Sequence, residues 1–437
     1  MKIFTHILQY EWKSLWRSNI LKALLLVVLG AGVYGIYFGK FEIEKQQTRM
    51  AQVQQYERQQ FDSLLYWSTL DTTHEANQEK YLQAVSPTGV GWSKHFTYYL
   101  THEAPPLAGL CLGQRDLFPV YYGFNVTDLA RQVNVGELAN PMKLLTGNFD
   151  LSYVLVFLIP LLIIALFYNL YAREKEGGTL SLLQSQPISL TTILLSKGLL
   201  RFIIVLLTVT ALLLLGFVLQ GISLAQQFGL FASWLLVVYG YCLLWTVLMG
   251  VVISLRRSAA LSAMLGLGGW LIFTLITPAL LNLLVSTQEP PPNRAEVIHA
   301  VRTLNDKNWE MPKSFVFDRF YQENPDFPSA DTANFNQWYY ASFTLLDVEA
   351  NALKQQFEAQ VAQRNQLLKR WEWLAPAAMV HEKLSMLSQT DRRSHQEFVT
   401  EMYAYHQGLK EIYYDKIFSS EMFAPSDLEV LSARLSE

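Results

Sequence analysis

The residues best placed to carry chemistry in this sequence form a short loop between two long apolar runs. From position 173 to 187 the loop reads REKEGGTLSLLQSQP. The glycine pair at 177–178 breaks the helix before it, and Thr179 is a suitable N-cap for a short helix through Gln186. Pro187 stops that helix. A short capped helix behind acidic residues makes a rigid knob that can transmit force from a soluble partner. A charged loop that only sets membrane topology fits the same residues.

Other patterns that would carry chemistry are missing from the sequence. No phosphate-binding loop of the form Gly-x-x-x-x-Gly-Lys-Ser/Thr occurs, so the chain is not expected to bind ATP itself. The eight histidines include no His-x-x-x-His pair, and Cys111 and Cys242 lie in unlike surroundings, so neither a metal site nor a disulfide is predicted. Asp116 and Asp150 belong to no identifiable catalytic pair. We therefore expect no catalytic residues, no metal and no enzymatic active site in this chain.

The N-terminal residues 1–20 have the pattern of an amphipathic helix. Five apolar residues fall mostly on one helical face: Phe4, Leu8, Trp12, Leu15 and Trp16. Lys13 and Arg17 lie elsewhere on the helix, so we expect it to rest in the membrane interface with Trp12 and Trp16 at headgroup depth. An ordinary cytoplasmic extension is the alternative.

The composition of the chain indicates a membrane protein. Of its 437 residues, 51% are hydrophobic and 16% are charged, whereas about 25% are charged in a typical soluble domain. The deficit is concentrated in four uncharged runs, at 23–39, 151–172, 202–255 and 258–288. The third run is too long for one crossing and becomes more polar at 220–227, so about five spans are predicted. A soluble protein with buried helices seldom needs such long runs without charge.

Basic residues near the span ends predict the orientation of the chain. They form three clusters on one side of the membrane: Lys2, Lys13, Arg17 and Lys22; Arg173, Lys175, Lys197 and Arg201; Arg256 and Arg257. Basic residues favour the cytoplasmic side, which predicts a cytoplasmic N-terminus. The predicted segments are an interfacial helix at 1–20, spans at 21–39, 150–172 and 198–288, a cytoplasmic loop at 173–197, and extracytoplasmic insertions at 40–149 and 289–437.

The two insertions are predicted to be α-rich, which makes the fold a mainly α, polytopic membrane protein with an extracytoplasmic domain. In the first insertion, residues 42–65 are expected to continue the first span as a helix. In the second, helices are expected over 331–374, where Pro376 ends the helix, and over 392–414. We hypothesise that the helices of the two insertions pack together into one domain.

The loop at 173–187 resembles the coupling region of type-2 ABC transporter permeases, whose pattern is Glu-x-Glu-x-Gly-Thr-Leu followed by Leu and Pro. The matching residues are Glu174, Glu176, Gly178, Thr179, Leu180 and Pro187. The N-terminal helix resembles the elbow helix of that family through Glu11, Trp12 and Arg17. Resemblance to a subgroup with enlarged extracytoplasmic loops rests on 113–119, on 140–150 and on Pro160 in the span that follows. One departure is that family members usually close with a sixth span, for which no apolar run after Asn293 is long enough.

The resemblance implies a permease subunit in a bacterial cytoplasmic (inner) membrane. Its implied partners are a separate ABC ATPase, which would bind ATP and Mg²⁺, and a second permease subunit in a homodimer or heterodimer. It favours export, or extraction from the membrane, of an amphipathic substrate. The alternative is a mechanotransmitter that passes ATP-driven motion to an envelope protein at the insertions. A net charge of −3 gives no reason to expect nucleic acid, and spans without ionisable residues argue against an ion-coupled carrier.

Overall fold

The computed structural model describes residues 2–91, 96–127, 129, 148–185, 188–328 and 333–434, and within them the chain is mainly helical. Residues 140–147 and Pro187, which contribute to the family resemblance, lie outside the described residues. The first elements are α1 (Lys2–Trp16), α2 (Asn19–Ser68), α3 (Glu75–Val85), α4 (Pro87–Gly91), β1 (Tyr98–Thr101) and β2 (Tyr121–Phe124).

The central elements begin with α5, which comprises Leu151–Tyr153, a π-helical turn at Val154–Leu158 and Ile159–Phe167. Next come α6 (Ala172–Glu176), α7 (Leu180–Gln184), α8 (Leu190–Gln220) and α9 (Phe228–Ser254). α10 comprises Ala259–Leu271, a second π-helical turn at Ile272–Ile276 and Thr277–Gln288. The last elements are α11 (Arg294–Glu310), α12 (Lys313–Glu323), α13 (Phe335–Trp371) with a 3-10 turn at Glu372–Leu374, α14 (Pro376–Leu387), α15 (Arg392–Ser419) and α16 (Pro425–Arg434).

Among the described residues, five helices are long and apolar enough to cross a membrane: Asn19–Ser68, Leu151–Glu176, Leu190–Gln220, Phe228–Ser254 and Ala259–Gln288. Their number and positions agree with the predicted spans. The long uncharged run divides where predicted, because α8 ends at Gln220 and Gly221 adopts a left-handed φ of 71°. Such a φ is accessible to glycine without steric cost, which allows the tight turn into α9.

The five apolar helices pack around one hydrophobic cluster, and polar contacts distinguish its two ends. At one end the side chains of Glu11 and Arg201 meet, next to the loop formed by α6 and α7. At the other end the Lys40 ammonium donates to the carbonyl oxygen of Leu219 at 3.0 Å, next to the first insertion. We call these the loop end and the insertion end of the bundle.

The helix α2 connects the bundle to the insertions without a break. It runs from Asn19 to Ser68, which confirms that residues 42–65 continue the first span. Its 50 residues make a rod about 75 Å long at 1.5 Å per residue. Near its far end, Phe61 and Leu64 enter a second hydrophobic cluster that also contains side chains of α12, α13 and α15. The two insertions therefore share one hydrophobic core, as hypothesised.

Several local predictions need correction. The first insertion contains the antiparallel pair β1 and β2, which the sequence did not indicate. The helix predicted over 331–374 begins later, because the Asn334 side chain caps α13 by accepting from two backbone N–H groups. Pro376 was predicted only to end the preceding helix. It is also the first residue of α14, where its fixed φ is compatible with a first helical turn. The helix predicted over 392–414 continues to Ser419.

Candidate functional site

The described part of the loop, residues 173–185, folds into the two short helices α6 and α7 with the glycine pair between them. The N–H of Gly177 closes the last turn of α6 by donating to the carbonyl oxygen of Arg173 at 3.0 Å. Gly178 then adopts a φ of 73°. A residue with a Cβ would be about 1 to 2 kcal/mol less favourable in that conformation. The predicted helix break at 177–178 is therefore confirmed.

Thr179 stands at the N-cap position of α7, but its side chain does not cap the helix. Its hydroxyl donates instead to the Glu174 carboxylate at 2.5 Å. The predicted N-cap position is confirmed, but capping by the Thr179 side chain is not, because the backbone at Thr179 is helical (φ −84°, ψ −9°) rather than extended as at a capping residue. α7 ends at Gln184, earlier than predicted, and Gln186 and Pro187 lie outside the described residues.

The two acidic residues of the loop are both engaged inside the molecule. Glu174 accepts a hydrogen bond from the Lys197 ammonium on α8 at 2.6 Å. Glu176 accepts from the backbone N–H of Ala259, the first residue of α10, at 3.0 Å. A carboxylate is favourable there because the first N–H groups of a helix lack intrahelical partners. The pair thus ties α6 to α8 and α10, a role that the residue pattern did not indicate.

A network of buried ion pairs also connects the N-terminal helix α1 to α6 and α8. The Arg201 guanidinium donates twice to Glu11 Oε1, at 2.6 and 3.1 Å. The Lys197 ammonium lies 3.8 Å from the other oxygen of Glu11. The side chains of Glu11 and Arg201 are only 3% and 4% exposed. Because Lys197 also binds Glu174, one set of charges joins α1, α6 and α8.

Sequence reasoning missed this network. From the sequence, Lys197 and Arg201 are only members of a basic cluster, and Glu11 is only part of a resemblance. Two signals were available. Glu11 is the only acidic residue of α1 and lies one helical turn before Leu15, which is buried. Arg201 directly precedes an uncharged run, so its charge needs a partner close by.

The two indoles of α1 face away from the bundle. Trp12 and Trp16 are 46% and 58% exposed, and their rings stack with centroids 5.7 Å apart. Leu15 packs into the bundle instead, so the single apolar face predicted for these residues is divided in two. Arg17 is exposed just after the helix. Exposed indoles beside a basic residue are what an interfacial helix presents to lipid headgroups.

A cleft of about 670 Å³ opens between α1, α7 and the start of α8. Ile7 and Tyr10 contribute to it from α1, and Leu182 and Leu183 contribute from α7. None of the residues of α7 is buried, and the Leu182 side chain is 66% exposed. The loop end therefore presents an apolar side chain and a cleft with charged groups, on a base that the ion network holds in place.

The second insertion matches a protein family. Residues 294–433 fit the family model described as a domain of unknown function (DUF3526). This match runs from α11 into α16, covers about a third of the chain and does not include the loop at 173–185. No curated protein matches the chain. In the described residues, no three His, Cys, Asp or Glu side chains are grouped so that they could hold a metal ion.

Proposed function

We propose that this chain is the membrane-spanning permease subunit of an ATP-driven ABC transporter. A separate ATPase subunit would hydrolyse ATP and dock at the loop end, on α7 and the neighbouring cleft, which would face the cytoplasm. The observation that carries the proposal is the contrast within the loop. α7 is open to solvent and exposes Leu182, whereas α6 is tied to α8 and α10 by Glu174 and Glu176.

This contrast suits force transmission. A push on α7 passes to α6 through the short glycine connection, in which the Thr179 hydroxyl bonds Glu174. From α6 it passes to two apolar helices through Lys197 and Ala259. In this proposal Leu182 contacts the ATPase, while Glu174 and Glu176 keep α7 coupled to the bundle. The apolar, uncharged helices suit export or membrane extraction of an amphipathic substrate, with a second permease subunit completing the path.

Replacing Leu182 with glutamate is expected to reduce recovery of the ATPase subunit about tenfold or more. Loss of a central apolar contact and burial of a charge at the interface cost at least about 1.4 kcal/mol, which is a factor of ten in affinity. The measurement is affinity purification of the membrane-extracted chain, with the ATPase quantified by mass spectrometry. Leu182 is exposed, so the fold of the permease should be unaffected.

The matched control is Met422→Glu, which places the same charge on an exposed apolar residue of the second insertion. It should leave recovery of the ATPase unchanged. Recovery of no nucleotide-binding protein with the wild-type chain would contradict the proposal. So would equal recovery with the Leu182→Glu and wild-type chains.

A mechanotransmitter without substrate flux is the second candidate. The observation in its favour is the continuity of α2, which begins in the bundle and reaches the shared core of the insertions through Phe61 and Leu64. Movement of the bundle would therefore be carried to the insertions and to an envelope partner. Reconstituted vesicles distinguish the two candidates, because ATP hydrolysis with flux supports the transporter, whereas hydrolysis without flux of amphipathic substrates supports the mechanotransmitter.

A further inference from the structure

The long helix α13 leads back from the shared core of the insertions to the membrane-spanning bundle. Asn308 of α11 donates through its side-chain amide to the carbonyl oxygen of Ser342 in α13 at 2.8 Å. Val301, about two turns earlier in α11, lies in one apolar cluster with Ala350, about two turns later in α13. The two helices therefore run antiparallel. Since α11 leads away from the insertion end of the bundle, α13 returns towards it.

A polar contact fixes how far α13 returns. The Arg364 guanidinium donates to Asn282 Oδ1 of α10 at 2.5 Å and to the carbonyl oxygen of Glu289 at 3.0 Å. At 1.5 Å per residue, those two acceptors lie about 35 to 45 Å along the helix from Ala259, where α10 begins at the loop end. Trp371 is about two turns nearer the loop end than Arg364, at about 25 to 35 Å from Ala259. A hydrocarbon core is about 30 Å thick, so one that begins near Ala259 ends within that range, at the insertion end of the bundle.

The residues at this level have the chemistry of a membrane interface. Trp371 and Trp373 are 45% and 64% exposed, although indoles usually lie inside a water-soluble domain. Lys369 and Arg370 immediately precede them and are exposed. The Arg370 guanidinium lies 6.0 Å from the centroid of the Trp371 ring. The two exposed indoles lie nearer the bundle than the two cations. This arrangement is typical of the headgroup region of a membrane, where aromatic rings lie close to lipid phosphates.

The helix that follows, α14, holds this segment against the bundle. Ala377, Val380 and Leu384 of α14 are buried in the hydrophobic cluster of the apolar helices. α14 packs on α9 and on the second π-helical turn, at the middle of α10. The segment between Arg364 and α14 is therefore attached to the bundle at both ends. These two attachments determine how deep the two indoles lie relative to the apolar helices.

We propose that residues 369–374 form an interfacial anchor that seats the second insertion in the leaflet at the insertion end of the bundle. Trp371 and Trp373 lie at the boundary between headgroups and acyl chains, and Lys369 and Arg370 contact lipid phosphates. The partner of this surface is the lipid bilayer itself. The inference requires that the apolar helices cross a bilayer, and it is independent of the ATPase and of any substrate.

Spin labelling tests the depth of the anchor. Trp373→Cys and Val348→Cys carry a nitroxide at two exposed positions that are about 38 Å apart along α13 and its extension. In vesicles of phosphatidylcholine and phosphatidylglycerol, the label at 373 should collide severalfold more with oxygen, which partitions into lipid, than the label at 348. The label at 348 should collide more with a water-soluble nickel chelate. Cys111 and Cys242 are buried, so the wild-type chain gives the labelling background.

Two outcomes would overturn the proposal. Equal, water-like accessibility at 373 and 348 would place the indoles in solvent. Low accessibility of position 373 to both oxygen and the nickel chelate would mean that protein covers this surface. A second label, in Trp371→Cys, guards against a local distortion, and its oxygen accessibility should also exceed that of position 348.

Discussion

Replacing Glu11 with alanine is expected to destabilise the folded protein by about 3 kcal/mol or more. The reason is that Arg201 would remain buried without its carboxylate, and an uncompensated buried charge is far more costly than a lost surface pair. Arg201 would keep its bonds to the Leu166 carbonyl oxygen and to Asn169, which moderates the loss but supplies no negative charge. Lys197 would also lose its second anionic neighbour.

The measurement is the thermal unfolding midpoint of the detergent-purified chain. Glu44→Ala is the matched control, because it removes an acidic residue whose pair with Lys40 spans 3.9 Å and is about half exposed. That change should cost less than about 1 kcal/mol. The double variant Glu11→Leu with Arg201→Met should recover much of the stability, since an apolar replacement leaves no buried charge. Equal decreases in the unfolding midpoint for Glu11→Ala and Glu44→Ala would show that the buried ion network contributes little to stability.

Loss of Glu11 should also affect docking of the proposed ATPase subunit. Glu11 holds α1 against α8, and α1 forms one wall of the cleft next to α7. Loss of this pair should release α1 and open the cleft without changing the exposed face of α7. ATPase recovery should then fall less for Glu11→Ala than for Leu182→Glu when both are compared at equal amounts of folded protein.

The positions of the apolar helices were predictable because they depend on the local sequence alone. A bilayer requires about 20 successive residues without charge, and this requirement appears in the sequence as uninterrupted runs. The turn at Gly221 was also readable, since a polar interval and a glycine coincide there. The glycine break at 177–178 was predicted for the same reason. Each of these features depends on neighbours within a few residues.

The features that the sequence did not indicate depend on contacts between distant segments. Glu11 and Arg201 are 190 positions apart, and nothing local to either residue specifies the other. Thr179 does not cap α7 with its side chain because its backbone is helical, and its hydroxyl donates to Glu174, a partner that is close only when α6 and α7 are folded. β1 and β2 are four residues each and are separated by a long connection, so their pairing has no hairpin signal. α14 was missed because its apolar run is too short to stand out as a span.

Acidification is expected to destabilise the shared core of the insertions through two buried histidines. His406 is fully buried, with Nε2 3.1 Å from the carbonyl oxygen of Asn125. Burial, followed by the charge of Lys410, lowers the pKa of His406 from 6.5 to about 3. His395 stacks on Phe118. Burial lowers the pKa of His395 to about 4, and neighbouring arginines contribute to that shift.

The direction of the effect follows from proton binding. Between pH 6.5 and about 4, both histidines are neutral in the folded protein and take up a proton on unfolding, so the unfolded state binds more protons. The stabilisation is fully present above pH 6.5 and is lost as the pH falls through that window. Each histidine contributes about 1.4 kcal/mol per pH unit, or about 2 kcal/mol each by pH 5. With the proposed orientation, the insertions would experience the pH of the medium.

Hydrogen exchange of α15 peptides, corrected for the intrinsic pH dependence of exchange, measures this loss in the full chain. His406→Gln keeps a polar group near Asn125 but cannot titrate, so protection should fall with pH less steeply than in the wild type, by the slope of one histidine. His74→Gln changes an exposed histidine at the start of α3 and should keep the wild-type slope. The comparison isolates one histidine because all other titrating groups are common to the three proteins. An unchanged slope in His406→Gln would mean that His406 does not cause the acid sensitivity, even if the variant is less stable at every pH.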